Sequence, residues 1–345
     1  MKTIMVAGGA GFMGSNFVLY MLQHHTDYKI VVFDKLTYAG NLNNLIDICM
    51  DPRYRFVHGD ICDAAAVNAA IETHGIDTIV NFAAETHVDR SILNPDAFVR
   101  TNVVGTYTLL ECSRQHCVRR FHHVSTDEVY GEAAGDRAFL ETDKLSPRSP
   151  YAASKASADL LVLSYFTSFA LDVTISRASN NIGPFQYPEK VVPLFATNAM
   201  ENLPLPIYGD GLQRREYQYV TDHCEALDVV LHAGVSGEIY NIGTGAPPMA
   251  NIDMAELVLE TLGKPRGLMR FVADRPGHDQ CYHMNVEKMQ ALGWRARHSS
   301  REAIGKTVQW YAAHETWWRK VKSGDFRQYY AAQYGARLAA DRPVN

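Results

Sequence analysis

The sequence predicts an α/β protein with a doubly wound parallel sheet and a smaller mixed α/β lobe in its C-terminal half. Three observations support this fold class. The chain opens with a short apolar strand, a glycine-rich turn and an amphipathic helix. Strand-length apolar segments and helical segments then alternate up to about residue 178, which is typical of a parallel sheet. Beyond that residue the alternation breaks down.

The opening is typical of a dinucleotide-binding, Rossmann-type domain. A strand over residues 2–7 leads into Gly8, Gly11 and Gly14, and a helix follows from about Ser15 to His24. Glycines let the backbone approach a pyrophosphate, and the helix N-terminus offers free amides and a positive dipole end. Asp34, at the end of the second strand, suits ribose hydroxyls and would repel a 2′-phosphate. The pattern therefore favours NAD over NADP. The positive charge of the neighbouring Lys35 is the one feature that counts the other way.

Further strands are expected at 54–58, 78–82, 121–124 and 173–177. After the third strand, Asp60 could either cap the next helix or reach an adenine. After the fourth, Ala83 and Ala84 are small enough for a cofactor to lie against the backbone. Residues 1–178 are thus expected to form the cofactor domain with returning C-terminal segments, and 179–345 mainly a substrate lobe.

In that second half, shorter strands are expected at 206–208, 215–220 and 239–242. Along the whole chain, helices are expected at 94–115, 151–169, 222–233, 251–262 and 301–321. The last of these carries four large aromatic residues, which we interpret as packing residues. A loop over residues 131–150 is long enough to indicate a functional or mobile segment.

The fifth strand leads into Thr126, Asp127 and Glu128. Adjacent side chains on a strand point to opposite faces, but beyond the strand end all three can turn towards one pocket. Ligands of open α/β sheets bind at the carboxyl ends of the strands. The stretch therefore supplies an acid and a base together.

Tyr151 and Lys155 stand four residues apart at the start of a predicted helix, so they share one helix face. An ammonium beside a phenol, with an oxidised nicotinamide nearby, lowers the pKa of the phenol. Tyr151 then becomes a usable base near neutral pH.

On these residues the chain resembles the extended short-chain dehydrogenase/reductases. The Thr126–Glu128 stretch resembles the nucleotide-sugar 4,6-dehydratases among them, most closely the dTDP-glucose 4,6-dehydratases. Further matching stretches lie at 33–41, 85–91, 188–190 and 274–279.

The resemblance implies a tightly bound NAD that is recycled within each turnover, and loss of water from a nucleoside-diphosphate glucose. The implied catalytic residues are Thr126, Asp127, Glu128, Tyr151 and Lys155. The implied cofactor-binding residues are Gly8, Gly11, Phe12, Met13, Gly14, Asp34, Lys35, Thr37, Gly40, Asp60, Ile61, Phe82, Ala83, Ala84, Thr86, Thr101, Tyr151, Lys155 and Asn181. The implied substrate-binding residues are Thr86, Asp127, Glu128, Asn180, Glu189, Lys190, Val191, Pro206, Tyr208, Arg215, Asn251, Arg275 and His278.

The chain departs from the dTDP-glucose pattern near the nucleotide. Ile182 replaces a common tyrosine, Glu216 and Tyr217 replace Asp-Trp, and Gln213-Arg214 adds polarity. The nucleotide base and the sugar therefore stay open, with UDP-glucose or another nucleotide-sugar as alternatives.

Three other functions stay open as well. A 4-epimerase would use the same tyrosine, lysine and NAD, but it needs no acid and base at C5 and C6. A decarboxylase needs a cation for a sugar carboxylate, which Arg90 could supply. A non-catalytic NAD sensor would have no use for all five catalytic residues.

Composition sets the remaining bounds. The 345 residues are 47% hydrophobic with a net charge of −5 and no basic run, which argues against nucleic acid as a partner. No apolar run is long enough to cross a membrane. Six cysteines without a Cys-x-x-Cys pair fit reduced thiols and a cytoplasmic location. The histidine pairs at 24–25 and 122–123 lack metal-ligand spacing, so no metal is expected. The resemblance implies a homodimer formed through helices 94–115 and 151–169.

Overall fold

The computed structural model describes residues 2–135, 137–339 and 342–343. Its strands, in chain order, are β1 (Thr3–Ala7), β2 (Lys29–Asp34), β3 (Tyr54–His58), β4 (Thr78–Asn81), β5 (Arg120–Thr126), β6 (Val173–Ala178), β7 (Asn180–Ile182), β8 (Leu205–Tyr208), β9 (Arg214–Arg215), β10 (Tyr217–Tyr219), β11 (Ile239–Ile242), β12 (Met249–Ala250), β13 (Met269–Val272) and β14 (Arg342–Pro343).

The helices, in chain order, are α1 (Phe12–His24), α2 (Ala64–His74), α3 (Val88–Leu93), α4 (Pro95–Phe98), α5 (Thr106–Gln115), α6 (Pro150–Phe169), α7 (Val191–Met200), α8 (Val220–Ala233), α9 (Asn251–Leu262), α10 (Glu287–Ala291), α11 (Ser300–Ala313), α12 (Glu315–Val321) and α13 (Asp325–Ala339). Short 3₁₀ turns cover Leu42–Ile48, Asp127–Tyr130 and Arg266–Leu268, and a π-helical segment covers Val99–Gly105.

The central sheet is parallel and has the strand order β11-β6-β5-β4-β1-β2-β3. The chain proceeds outwards in one direction from β1 to β3 and in the other from β4 to β6. The direction reverses between β1 and β4, where Ala7 lies opposite Asn81. In doubly wound sheets, ligands bind at this switch point. The predicted fold class is confirmed.

Helices cover both faces of this sheet. One face buries its side chains against α1 and α8, around Val6, Phe17 and Leu227. The other face packs on α2, α5 and α6, around Phe33, Leu109 and Val162. Strands buried on both sides are largely apolar: all five residues of β1 are buried, and only Thr3 among them is polar.

A second lobe is formed mainly by α7, α9 and α11, which share a core with α12 and α13. It contains one three-stranded sheet, in which β13 lies between β8 and β14. Two further sheets pair β7 with β10 and β9 with β12. Segments from this half also return to the first lobe, since β11 joins the central sheet and α8 packs on α1. The division of the chain at residue 178 stays a prediction.

Several predicted bounds were wrong. The expected helix 301–321 is two helices, because the backbone leaves helical geometry at His314 (φ −119°, ψ 44°). The expected helix 94–115 is divided into α4, the π-helical segment and α5. The expected strand 215–220 belongs to two sheets, since β9 pairs with β12 and β10 with β7. Four helices, α3, α7, α10 and α13, and four strands, β7, β12, β13 and β14, were not predicted.

In the described part of the chain, no helix combines the length and apolar character needed to cross a membrane. All six cysteines are free thiols.

Candidate active site

One cleft opens at the switch point, and it collects residues from the carboxyl ends of the first six strands. Eighteen of the predicted cofactor-binding residues line it. They are Gly8, Gly11, Phe12, Met13, Gly14, Asp34, Lys35, Thr37, Gly40, Asp60, Ile61, Phe82, Ala83, Ala84, Thr86, Thr101, Tyr151 and Asn181. Their role as cofactor ligands stays a prediction.

The glycine-rich turn is packed too closely for side chains. Gly8 has φ +74°, and a Cβ built there would lie 2.6 Å from the Ala83 nitrogen. A Cβ on Gly14 would lie 2.3 Å from the Gly8 oxygen. Two loops and the start of α1 thus meet as bare backbone, which is the surface that a pyrophosphate requires.

Asp34 is buried at the end of β2, where its carboxylate accepts backbone hydrogen bonds from Ala10 (2.9 Å) and Leu36 (2.8 Å). Burial raises the pKa of this carboxyl group, and the two amides oppose that rise. Lys35 forms a 2.6 Å salt bridge with Asp60 and lines the same cleft. Asp63, not Asp60, caps α2. The capping role considered for Asp60 is therefore wrong; its carboxylate accepts instead from the Cys62 amide at 2.9 Å, and the residue lines the cleft.

The acid pair begins a 3₁₀ turn. β5 continues through Thr126, whose hydroxyl accepts from the Glu128 amide (3.3 Å) and donates to Asp127 Oδ1 (3.1 Å). The turn rotates consecutive side chains away from strand geometry. As a result, all three residues line the cleft.

Burial and the Glu128 charge raise the pKa of Asp127 from 3.8 to about 8. Burial also raises the pKa of Glu128, while the charges of Arg275, Lys190 and Arg215 lower it. The two neighbouring carboxyl groups therefore differ in their environments. Asp127 holds a proton near neutral pH, and Glu128 faces the cations.

Tyr151 is the second residue of α6, whose N-terminus Ser149 caps by accepting from the Ala152 amide at 3.1 Å. The tyrosine hydroxyl is hydrogen-bonded with Thr126 and lines the cleft. Burial and the Glu128 charge raise its pKa, and the bond with Thr126 opposes that rise.

Lys155 lies one turn further along α6, buried behind the cleft wall. Its Nζ donates to the Val124 carbonyl (2.7 Å) and lies 3.1 Å from His123 Nε2. Burial lowers the pKa of Lys155 to about 8. Unlike Tyr151, it is not among the residues that line the cleft.

Of the predicted substrate-binding residues, Thr86, Asp127, Glu128, Asn180, Glu189 and Lys190 line the cleft. The other seven lie outside it: Val191, Pro206, Tyr208, Arg215, Asn251, Arg275 and His278. Their assignment stays a prediction.

Three of these seven meet around Asp89. Arg275 forms a 3.0 Å salt bridge with Asp89, whose other oxygen accepts from the Tyr208 hydroxyl (2.9 Å). His278 packs edge-on against the Tyr208 ring and bonds to Asp274 (2.7 Å). Because Arg275 also acts on the pKa of Glu128, this cluster lies next to the acid pair.

Arg215 and Asn251 are held by neighbouring residues of the second lobe. The Arg215 guanidinium stacks on the Tyr282 ring, 4.1 Å from its centroid, and donates to the Asp279 carbonyl at 2.9 Å. Asn251 accepts from the Tyr217 hydroxyl at 2.9 Å.

Of the residues that depart from the family pattern, Ile182, Gln213, Glu216 and Tyr217 are buried and Arg214 is partly exposed. Ile182 lies in the core of the second lobe, and Glu216 accepts from Thr244 (2.7 Å) and from the Gly245 amide (2.8 Å). Tyr217, itself one of the departures, donates a hydrogen bond to Asn251, a predicted substrate-binding residue.

The sequence reasoning missed several cleft residues, namely Tyr38, Glu85, Ser125, Ser179, Gln186 and Tyr187. Tyr38 and Glu85 stand inside stretches that already carried the resemblance. Gln186 and Tyr187 follow β7 without any local signal. It also missed His123, which meets Lys155 only because β5 and α6 pack together.

The fold and the cleft define a dinucleotide-binding α/β protein of the extended short-chain dehydrogenase/reductase type. Residues 5–307 match the family model described as GDP-mannose 4,6 dehydratase, and the chain belongs to that family.

Several similar proteins are described as dTDP-glucose 4,6-dehydratases. A dTDP-glucose 4,6-dehydratase from Streptomyces niveus is 45% identical over 327 residues, covering 93% of this chain and 96% of the relative. The crystal structure of dTDP-glucose 4,6-dehydratase from Bacillus anthracis in complex with NAD is 46% identical, with a TM-score of 0.87 over 93% of this chain and 100% of that chain. The enzyme from Streptomyces venezuelae, with NAD and TYD bound, is 45% identical with a TM-score of 0.89, over 93% of this chain and 100% of that chain.

Proposed function

We propose that this chain is an NAD-dependent hydro-lyase that converts a nucleoside-diphosphate glucose, first of all dTDP-glucose, to its 4-keto-6-deoxy derivative. One observation carries the proposal. The buried acid pair Asp127 and Glu128 opens onto the same cleft as Tyr151 and the glycine-rich turn. Oxidation at C4 needs only a base, whereas removal of water across C5 and C6 needs a base and an acid. The dTDP-glucose relatives support the choice of nucleotide.

The cofactor side of the cleft fits NAD. Bare backbone at Gly8 and Gly14 suits the pyrophosphate, and the buried Asp34 carboxylate suits the ribose hydroxyls. When bound, NAD supplies reversible hydride transfer with the sugar, at C4 and then at C6, so one tightly held molecule serves every turnover.

Tyr151 removes the proton from the 4-hydroxyl, and Thr126 hydrogen-bonds the same oxygen. Because burial and Glu128 raise the pKa of Tyr151, its ionisation requires a positive charge close by. Lys155, one helical turn away, is mostly protonated at neutral pH, since its pKa of about 8 lies above 7. We assign Lys155 that role.

Once C4 is a ketone, the hydrogen on C5 becomes acidic. Glu128 takes that proton while Asp127 donates its own proton to the leaving 6-oxygen, and one water departs. The raised pKa of Asp127 keeps that proton available. Glu128 later returns a proton to C5 as C6 is reduced. Tyr151 then holds the proton taken from the 4-hydroxyl and Asp127 lacks one, so a proton released by Tyr151 and one regained by Asp127, exchanged through water, restore both groups and balance the cycle.

We propose that the remaining predicted substrate residues hold the nucleotide half. The three cations that act on Glu128, namely Lys190, Arg215 and Arg275, would face the diphosphate. Asn180, Glu189, Val191, Pro206, Tyr208, Asn251 and His278 would line the sugar and nucleoside.

A decarboxylase is disfavoured by the position of Arg90. Its guanidinium is paired with the buried Glu189 at 2.9 Å and stacks 4.1 Å from the centroid of the Tyr38 ring. Unlike the acid pair and Tyr151, Arg90 is also not among the residues that line the cleft.

We also propose a cytoplasmic homodimer. Large apolar side chains are exposed along the surface of α5, α6 and the π-helical segment, namely Val99, Val104, Tyr107, Leu160, Phe166 and Phe169. Exposed apolar side chains concentrated on neighbouring helices are typical of protein contacts. Six free thiols fit a reducing compartment.

The experiment is a mass spectrum of the products after incubation with dTDP-, UDP-, GDP- and CDP-glucose, without added NAD. Loss of one water from dTDP-glucose supports the proposal, and loss from another member of the set corrects the nucleotide. A chromatographically separate product of unchanged mass would indicate a 4-epimerase. No change with any of the four would point to another sugar and make Ile182, Arg214 and Glu216 the residues to examine, whereas any turnover rules out a non-catalytic sensor.

A further inference from the structure

Two histidines and an aspartate meet on the face of the central sheet that α1 and α8 cover. His25 directly follows the last residue of α1, and Asp228 and His232 lie one turn apart on α8. The two segments are 203 residues apart in sequence. That separation explains why no metal-ligand spacing was visible around His25. None of the three residues lines the cleft.

The ligand atoms of this cluster already converge. His25 Nε2 lies 3.0 Å from both oxygens of Asp228, and His232 Nδ1 lies 3.0 Å from Oδ1. One nitrogen or oxygen from each residue lies within 4.8 Å of the other two. A tetrahedral zinc ion with bonds near 2.0–2.1 Å holds its ligands about 3.3 Å apart. The two nitrogen–oxygen distances of 3.0 Å therefore need to lengthen by only a few tenths of an ångström to accept the ion.

Neighbouring groups hold the histidine rings in place. The Tyr28 hydroxyl lies 2.6 Å from His232 Nε2, and the His25 and His232 rings stack with centroids 5.3 Å apart. When Nε2 donates to Tyr28, Nδ1 carries a lone pair directed towards Asp228, which is the tautomer that a metal requires. That nitrogen would exchange its 2.8 Å contact with the Asp228 carbonyl for the metal.

Charge and access also suit a cation. Within the described ranges, Asp228 forms ion pairs with His25 and His232 and with no lysine or arginine. Histidine can give up its proton and coordinate, which a lysine or arginine partner would not do. The side chain of His232 is 40% exposed, so a hydrated ion can enter and keep one water.

We propose that His25, Asp228 and His232 form a binding site for a divalent transition-metal ion of the zinc type, with water as the fourth ligand. Two imidazoles and one carboxylate suit Zn²⁺ or Co²⁺, whereas Mg²⁺ and Ca²⁺ prefer oxygen ligands throughout. The bound ion ties the segment after α1 to α8. Because an ion that binds only the folded chain stabilises it, the site strengthens the contact between these two helices.

The test uses the full chain, stripped with a chelator and dialysed, and titrated with Zn²⁺ against a metallochromic indicator. We expect one equivalent that outcompetes the indicator, together with a higher unfolding temperature. His25→Gln and His232→Gln should each lose that equivalent and the temperature rise. His24→Gln is the matched control, since His24 is the neighbouring exposed histidine and bonds to the Tyr20 carbonyl; it should keep both.

A second measurement needs only the wild-type chain. Co²⁺ in a tetrahedral site with histidine ligands gives strong visible absorption, whereas hydrated octahedral Co²⁺ absorbs weakly. Visible bands that saturate at one equivalent support the proposal. It is overturned if wild-type bands stay at the hydrated level, or if His25→Gln, His232→Gln and His24→Gln take up Zn²⁺ as the wild type does.

Discussion

Replacing Asp127 by asparagine tests the acid half of the catalytic pair. The amide keeps the shape and the oxygen that accepts from Thr126 at 3.1 Å, but it has no acidic proton. Because burial and Glu128 raise the pKa of Asp127 to about 8, about nine-tenths of the chains hold a proton there at pH 7. For an aspartate at its ordinary pKa of 3.8 the fraction is on the order of one in a thousand. We expect turnover to fall by about 10² to 10⁴.

Although Asp127→Asn should lose turnover, it should raise the free energy of unfolding. An aspartate whose pKa is raised in the folded state does not lower the free energy of unfolding below pH 3.8. It lowers that free energy progressively as the pH rises, and the loss is complete above about pH 8. At pH 7 the cost is 1.36 × (7 − 3.8), or about 4 kcal/mol, and asparagine removes it at the smaller cost of burying an amide. Between about pH 5 and pH 7 the advantage of Asp127→Asn should grow by about 3 kcal/mol.

The assay measures product formation and urea unfolding of the wild type and of Asp127→Asn, at about pH 5 and pH 7. Asp47→Asn is the control, because Asp47 is exposed and the substitution should alter neither quantity. Full turnover in Asp127→Asn would refute its role as the acid. A stability advantage that stays constant with pH would refute the raised pKa.

Four further outcomes are expected. Tyr151→Phe should abolish the absorbance of reduced cofactor on addition of substrate, since the first proton is no longer removed; a normal signal would exclude Tyr151 as the base. Glu128→Gln should still give that signal but form product 10² to 10⁴ times more slowly, measured by mass. Gly8→Ala should purify without NAD, because its Cβ would lie 2.6 Å from backbone, and retained NAD would contradict the cradle. Leu160→Asp should give a monomer by light scattering, whereas Leu203→Asp, equally apolar and exposed elsewhere, should not.

The central sheet could be predicted because its strands are short, apolar and separated by turn residues. Each strand from β1 to β6 was placed within a few residues, since a sheet buried on both faces leaves a continuous apolar run. The second lobe could not be predicted in this way. Its strand pairs are only two to four residues long and depend on contacts between distant segments, as β9 with β12 does.

The candidate site shows the same limit. Residues that sit at strand ends or on one helix face, such as Asp127 and Tyr151, are visible from local spacing. His123 and Asp89 are not, because their partners Lys155 and Arg275 reach them only through the fold. The His25 cluster is the extreme case, with its partners on a helix of the other half of the chain.

The most direct test of the proposed reaction uses dTDP-glucose that carries deuterium at C4. The account predicts a product lighter than the substrate by one water, with the deuterium now on C6, because hydride leaves and returns within one site. A product of unchanged mass with deuterium still at C4, or a dehydrated product that has lost the deuterium to solvent, would contradict it.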